Sequence, residues 1–129
     1  MFKRGLHDEH GQAVTEFAVV LPILATILLA IIQCGIVLNH YLTLNDAVRV
    51  AARAAAANAS LGAGSASAAG QQALTGAADG LSLQGVSINS SWQSGQPVTV
   101  SASTPYKITL LGVTVASGSF KSTTVERAE

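Results

Sequence analysis

Gly11-Gln12-Ala13-Val14-Thr15-Glu16 leads directly into Phe17–Leu38, twenty-two residues without a charged side chain. An apolar run of about 20 residues crosses a bilayer core as a helix. Pro22, Thr26 and Gln33 interrupt the run only mildly. A proline removes one helix hydrogen bond and favours a kink, which neighbouring helices in lipid tolerate. The run exceeds the roughly 7–15 apolar residues of a cleaved secretory signal. Leu38-Asn39-His40-Tyr41 also offers no small-x-small cleavage site. The expectation is a retained membrane span. Glu16 stands at its edge, where a carboxylate either snorkels to the headgroups or needs a partner.

Downstream, Tyr41–Ser60 continues without proline or glycine. Leu44, Ala47, Val48, Ala51 and Ala55 recur at helical spacing, and alanine is the best helix former. One long helix is predicted from near Gln12 to near Asn58, half in lipid and half in water. Its length would be on the order of 65–70 Å. Asn45, Arg49 and Arg53 lie four residues apart on another face, with Asp46 within a three-residue step of Arg49. The two arginines serve either as a solvated face or as contacts to a neighbouring subunit or the C-terminal sheet.

Beyond Ser60 the chain is mostly Gly, Ala and Ser as far as Gly80. Leu61-Gly62-Ala63-Gly64-Ser65 reads as a flexible break, with a short second helix expected over Ala66–Ala78. The Gly62-x-Gly64 pair has no preceding strand and no third glycine, so it is not a nucleotide loop. From Leu83 the pattern alternates: Val86 and Ile88, then Val98, Val100 and Ala102, then Ile108 and Leu110. Val113 and Val115 have the opposite parity, so a tight turn or a bulge is expected at Leu111-Gly112. Phe120–Val125 adds a last strand. Alternation with Ser and Thr outward predicts a half-buried antiparallel sheet, covered by the helix Tyr41–Asn58. Trp92 and Tyr106 are read as strand-edge residues that close this small core. The fold class is α+β, a long N-terminal helix packed on a small antiparallel sheet.

Charge and chemistry exclude several functions. Seven Lys+Arg balance seven Asp+Glu, and aromatics make up 5% of the 129 residues. A nucleic-acid role wants a basic excess or stacking aromatics, and neither is present. His7, His10 and His40 form no metal-ligand cluster, and no nucleophile–base pair can be named. No enzyme, cofactor, metal or small-molecule substrate is expected. Cys34, the single cysteine, reads as a small buried hydrophobe. Ile31-Ile32-Gln33 before it lacks the small residues of a lipoprotein cleavage site.

These features together resemble the pilin-like proteins of bacterial type IV filaments, and within them the TadE-like pseudopilin family of the tight-adherence (Flp) pilus system. Gln12–Pro22 is similar to that family's opening. Asn45–Arg53 is similar to its arginine-bearing segment after the membrane, and Thr123–Glu129 to its closing strand. The resemblance implies a prepilin-type leader over 1–11 carrying Lys3 and Arg4, with the acidic pair Asp8 and Glu9 as a departure from a basic leader. A prepilin peptidase would cut between Gly11 and Gln12, making Glu16 the fifth residue of the mature chain. The new α-amine of Gln12 is a cation at neutral pH, and Glu16 of an incoming copy would pair with it. Pro22 and Gly35 would shape helix packing, small residues giving close approach.

The implied organisation is a leader (1–11), a long helix (12–59, membrane span 17–38), a Gly/Ala/Ser-rich linker with a short helix (60–82) and a sheet region (83–129). The implied partners are the peptidase, other pilins and pseudopilins, the pilus assembly platform and the lipid bilayer. The implied location is the bacterial cytoplasmic membrane, N-terminus inside. Two alternatives stay open at this level: a minor pseudopilin of a type II secretion system, and a plain single-span anchor displaying a small binding domain.

Overall fold

The computed structural model describes residues 8–129. One helix, α1, runs from Asp8 to Ala57, fifty residues including Pro22. A 3-10 turn follows at Ala59–Leu61, then a second helix, α2, at Ala63–Ala77. Three strands complete the chain: β1 (Gln84–Ser90), β2 (Pro97–Leu110) and β3 (Val113–Arg127). They form an antiparallel meander in the order β1-β2-β3. The long helix lies on this sheet, giving the expected α+β, pilin-like arrangement.

The core lies at the C-terminal half of α1. Leu44, Ala47, Val48, Ala51, Ala52 and Ala55 are all fully buried. They recur at three- and four-residue steps, one face of a helix. Opposite them, β2 buries alternate residues Val98, Val100, Ala102 and Thr104. Alanine on the helix side brings helix and sheet close together. Valine on the strand side suits a pleated, half-buried surface. Thr104 is the one hydroxyl in this row, and its Oγ1 donates to the Ser82 carbonyl at 3.1 Å.

The segment read as a flexible break is mostly helix. Only the turn at Ala59–Gly62 separates α1 from α2, and α2 begins three residues earlier than the sequence suggested. Its buried residues Ala66, Gly70 and Leu74 repeat every four positions, a stripe facing α1. A Cβ on Gly70 would lie 3.1 Å from Ala55 Cβ and 3.3 Å from the Ala51 carbonyl oxygen. The glycine thus permits the close crossing of the two helices. Composition alone hid this, because Gly, Ala and Ser serve a tight helix contact as readily as a loop.

The expected turn occurs at Leu111-Gly112, and a bulge accompanies it a few residues away. The two residues have φ of 50° and 82°, joining Leu110 and Val113, which pair directly. Two consecutive positive φ values are the signature of a type I′ hairpin turn. A register shift at Ile108/Thr109 adds a bulge. The last strand is longer than Phe120–Val125, because β3 pairs with β2 along its whole length.

The C-terminus closes the domain. Ala128 is buried, and its N–H bonds to the Gln96 carbonyl at 2.8 Å. The Glu129 N–H reaches the Ala56 carbonyl at 3.3 Å, and Asn58 Nδ2 donates to the Ala54 carbonyl at 2.8 Å. These two donors satisfy carbonyls that the end of a helix leaves unpaired.

Candidate functional site

The N-terminal half of α1 stands clear of the core. Phe17, Leu21, Ile23, Leu28, Ile31 and Leu38 are each about half or more exposed to the surroundings, at 61, 50, 58, 59, 64 and 57%. Large apolar side chains left this open in water would be unfavourable by about 25 cal/mol per Å². The helix is long and apolar enough to cross a membrane, and an apolar solvent removes that cost. Cys34, expected to be buried, is exposed on this part of the helix. The thiol borders a cleft shared with Val37, Leu38, Tyr41, Ile108 and Phe120.

Glu16 is exposed one turn before this surface deepens. Gln12 Nε2 donates to Glu16 Oε1 at 3.3 Å, the four-residue step that faces two side chains toward each other on a helix. Thr15 Oγ1 donates back to the Gly11 carbonyl at 2.9 Å. Gly11 has no heavy atom within 4 Å of an added Cβ, so its surroundings are open. The Gly11–Gln12 peptide bond lies inside α1, since the helix begins at Asp8. Residues 1–7 of the expected leader, with Lys3 and Arg4, lie outside the described residues, as do the side chains of Asp8, Glu9 and His10.

The other singled-out residues are spread along the rod. Pro22 lacks the N–H that would bond the Ala18 carbonyl. Thr26 Oγ1 donates to the Pro22 carbonyl at 2.8 Å, a side-chain bond of the kind that bends helices. Gly35 has nothing within 4 Å of an added Cβ, so its smoothness serves no contact within this chain. Arg49 and Arg53 are exposed on the face away from the core. They lie roughly 50 Å along the helix from Glu16, so the carboxylate and the guanidinium groups belong to separate places.

Asn45 departs from the arginine face. It is half-buried, and its Oδ1 accepts the Ser122 hydroxyl at 2.6 Å. Four-residue steps drift by about 40° each around an α-helix, enough to turn Asn45 toward the sheet while Arg53 faces solvent. Periodicity alone did not separate them. Of the two aromatic residues, Trp92 closes the core as expected, though from a loop, and Tyr106 takes another place. Trp92 sits in the β1–β2 loop, half-buried against the core with φ of 55°. Tyr106 lies within β2 and stacks on Phe120, centroids 4.5 Å apart. Phe120 in turn meets Tyr41 edge-on at 5.3 Å. This trio lies at the lower edge of the core, where α1 leaves the sheet.

Among the described residues, no three His, Cys, Asp or Glu side chains gather as a metal site. The exposed surface of α1, with Glu16 at one end and the arginines at the other, is therefore the candidate functional surface. What it offers is packing area, the carboxylates of Glu16 and Asp46 and the guanidinium groups of Arg49 and Arg53, all suited to contact.

The family model of TadE-like proteins matches residues 11–53. That span starts at Gly11 and takes in Glu16, Pro22, Gly35, Arg49 and Arg53. No curated protein and no solved structure gave a match to the chain.

Proposed function

We propose that this chain, TadE-like over residues 11–53, is a membrane-anchored minor pilin or pseudopilin acting in assembly of a tight-adherence type pilus. The observation that carries the reading is that family match, which falls entirely on α1 and takes in both its apolar, exposed half and the buried face at Leu44–Ala52. A prepilin peptidase cuts between Gly11 and Gln12 from the cytoplasmic side. The bond lies in the first turns of α1, so the turn before it must unwind to be cut. Glycine there lowers the cost, being about 1 kcal/mol poorer than alanine in a helix.

Cleavage frees the α-amine of Gln12, a cation at neutral pH. The Gln12 carboxamide that now meets Glu16 is neutral. A charged amine from a neighbouring copy would outcompete it, since charge-assisted hydrogen bonds are roughly twice as strong as neutral ones. Pairing across copies would fix the axial step between subunits, while the apolar halves of α1 pack together around Gly35. Arg49 and Arg53 remain free to meet carboxylates of adjoining subunits. The partners are other pilins, the assembly platform and the peptidase. The sheet region lies outside the cytoplasm.

The test is the intact mass of the chain purified from membranes with and without an active prepilin peptidase. Loss of Met1–Gly11 only when the enzyme is active supports the proposal. Retention of Met1 in its presence overturns it in favour of a plain anchored domain.

A further inference from the structure

The β2–β3 hairpin extends past the core along α1. Full burial on β2 alternates as far as Thr104, after which Tyr106 and Ile108–Leu110 are half-buried. On β3, Ser122 meets Asn45 and Phe120 meets Tyr41, so falling residue number on the strand follows falling number on the helix. The next contact continues the trend. Ile108 and Phe120 border a cleft of ≈ 350 Å³ with Cys34, Val37, Leu38 and Tyr41. From Phe120 the strand has seven more residues to Val113, roughly 20 Å of chain, directed toward the apolar half of the helix.

What this overhang presents is uncharged, with apolar side chains at the tip and Thr114, Ser117 and Ser119 along β3. Ile108–Phe120 contains no charged residue and is bracketed by the exposed Lys107 and Lys121. Leu111, Val113 and Val115 are 75, 66 and 63% exposed. The turn itself departs from water-adapted chemistry. A two-residue turn with both φ positive favours Asn-Gly or Asp-Gly. Here a leucine takes the first position, at φ of 50°. Left-handed backbone at a residue with a Cβ costs roughly 1–2 kcal/mol, and Leu111, three-quarters exposed, buries little side chain to offset it.

We infer that the tip of the β2–β3 hairpin is a second membrane contact, inserted into the leaflet that borders the sheet region, beside the α1 span. The inference rests on reading Phe17–Leu38 as that span. Lipid is the occupant because the tip is continuous with lipid-facing residues of α1 through the Cys34–Phe120 cleft. The flanking groups also match a bilayer boundary. Tyr41, Tyr106 and Phe120 cluster just above the overhang, at the level where aromatic rings favour the headgroup region. Lys107 and Lys121 can reach the phosphates. The ladder pairs the facing edges of β2 and β3, while their outer edges are unpaired beyond Ser103, so the insertion is to interfacial depth, where water still reaches those groups. The contact would fix the tilt and height of the head on the membrane.

The test uses the full chain with Cys34→Ala, reconstituted in phosphatidylcholine–phosphatidylglycerol vesicles. An environment-sensitive fluorophore is attached at Leu111→Cys, and in separate samples at Val115→Cys, Ser94→Cys and Leu28→Cys. Nitroxide-bearing lipids are the quencher. Labels at 111 and 115 should shift to the blue and lose roughly half or more of their emission, as at 28, while the label at 94 stays bright. Quenching at 28 with labels at 111 and 115 as bright as at 94 overturns the inference and leaves the span intact. No quenching at 28 overturns the span itself, and then only quenching at 111 or 115 would keep the hairpin contact. A partner protein as the true occupant would appear as unquenched labels at 111 and 115 that cross-link to another chain in membranes.

Discussion

The hydroxyl of Ser122 in β3 donates to Oδ1 of Asn45 in α1 at 2.6 Å, joining residues 77 positions apart. It is a direct polar tie between the long helix and the outer strand. Ser122 is 7% exposed, so losing its partner would leave a buried polar group unsatisfied. Ser122→Ala should lower the stability of the detergent-solubilised chain by about 1 kcal/mol. Asn45→Ala should cost the same or more. The double variant should cost less than the sum, because both remove one interaction. Urea unfolding followed by circular dichroism checks all three, and strict additivity would show that the contact carries no coupling.

Two glycines of α2 should respond in opposite directions. Gly70 faces Ile88, Ala55 and the Ala51 carbonyl, the nearest only 2.9 Å from an added Cβ. Gly76 has open space. Gly70→Ala should destabilise by about 1–3 kcal/mol through overpacking, offset in part by better helix propensity. Gly76→Ala should stabilise by up to about 1 kcal/mol. Thermal unfolding in detergent reads both, and equal effects would mean that α2 does not cross α1 closely.

Glu16→Ala should leave cleavage after Gly11 intact and reduce filament assembly by roughly tenfold or more, since the amine of the neighbouring copy loses its counter-charge. Glu16→Gln should behave similarly, because the carboxamide keeps shape and hydrogen bonds but not charge. Surface filaments at wild-type level carrying either variant subunit would refute the pairing. Mass measurement of the same samples separates failed assembly from failed processing.

Gly118 lies directly across from Tyr106, and a Cβ there would sit 2.9 Å from the ring. Gly118→Val should displace the ring from Phe120 and abolish the stack, at a cost of about 1 kcal/mol. The sign is a loss of near-ultraviolet circular dichroism with unchanged far-ultraviolet signal. Retention of the near-ultraviolet spectrum would mean that the stack survives by shifting the strand.

The long helix, its buried face and the sheet were legible because each follows a strong period. Leu44 through Ala55 repeat at helical steps, and Val98 through Ala102 alternate. The reversal at Leu111-Gly112 was legible from parity alone, since Leu110 and Val113 cannot share a strand register without a turn between them. Less legible was α2, whose Ala66, Gly70 and Leu74 stripe is diluted by glycine and serine that single-residue propensities assign to loops. Asn45 went astray for a different reason: its partner Ser122 is distant in sequence, and no local pattern announces such a bond. Glu16 was legible as an edge carboxylate, whereas the bond from the Gln12 carboxamide was not, since an exposed four-residue pair leaves no mark on the hydrophobic pattern. Cys34 reads as buried and is exposed, because apolar neighbours signal burial in water and exposure in lipid with the same letters.

One stiff rod carries both the oily segment and the folded head. From Pro22 to Ala57 no further proline breaks α1, and no slack linker joins the two parts. Rotation about the rod axis at the lower end must therefore appear as rotation of the sheet at the upper end. A subunit handled by its greasy stem would deliver torque to its neighbours through a shaft rather than a tether.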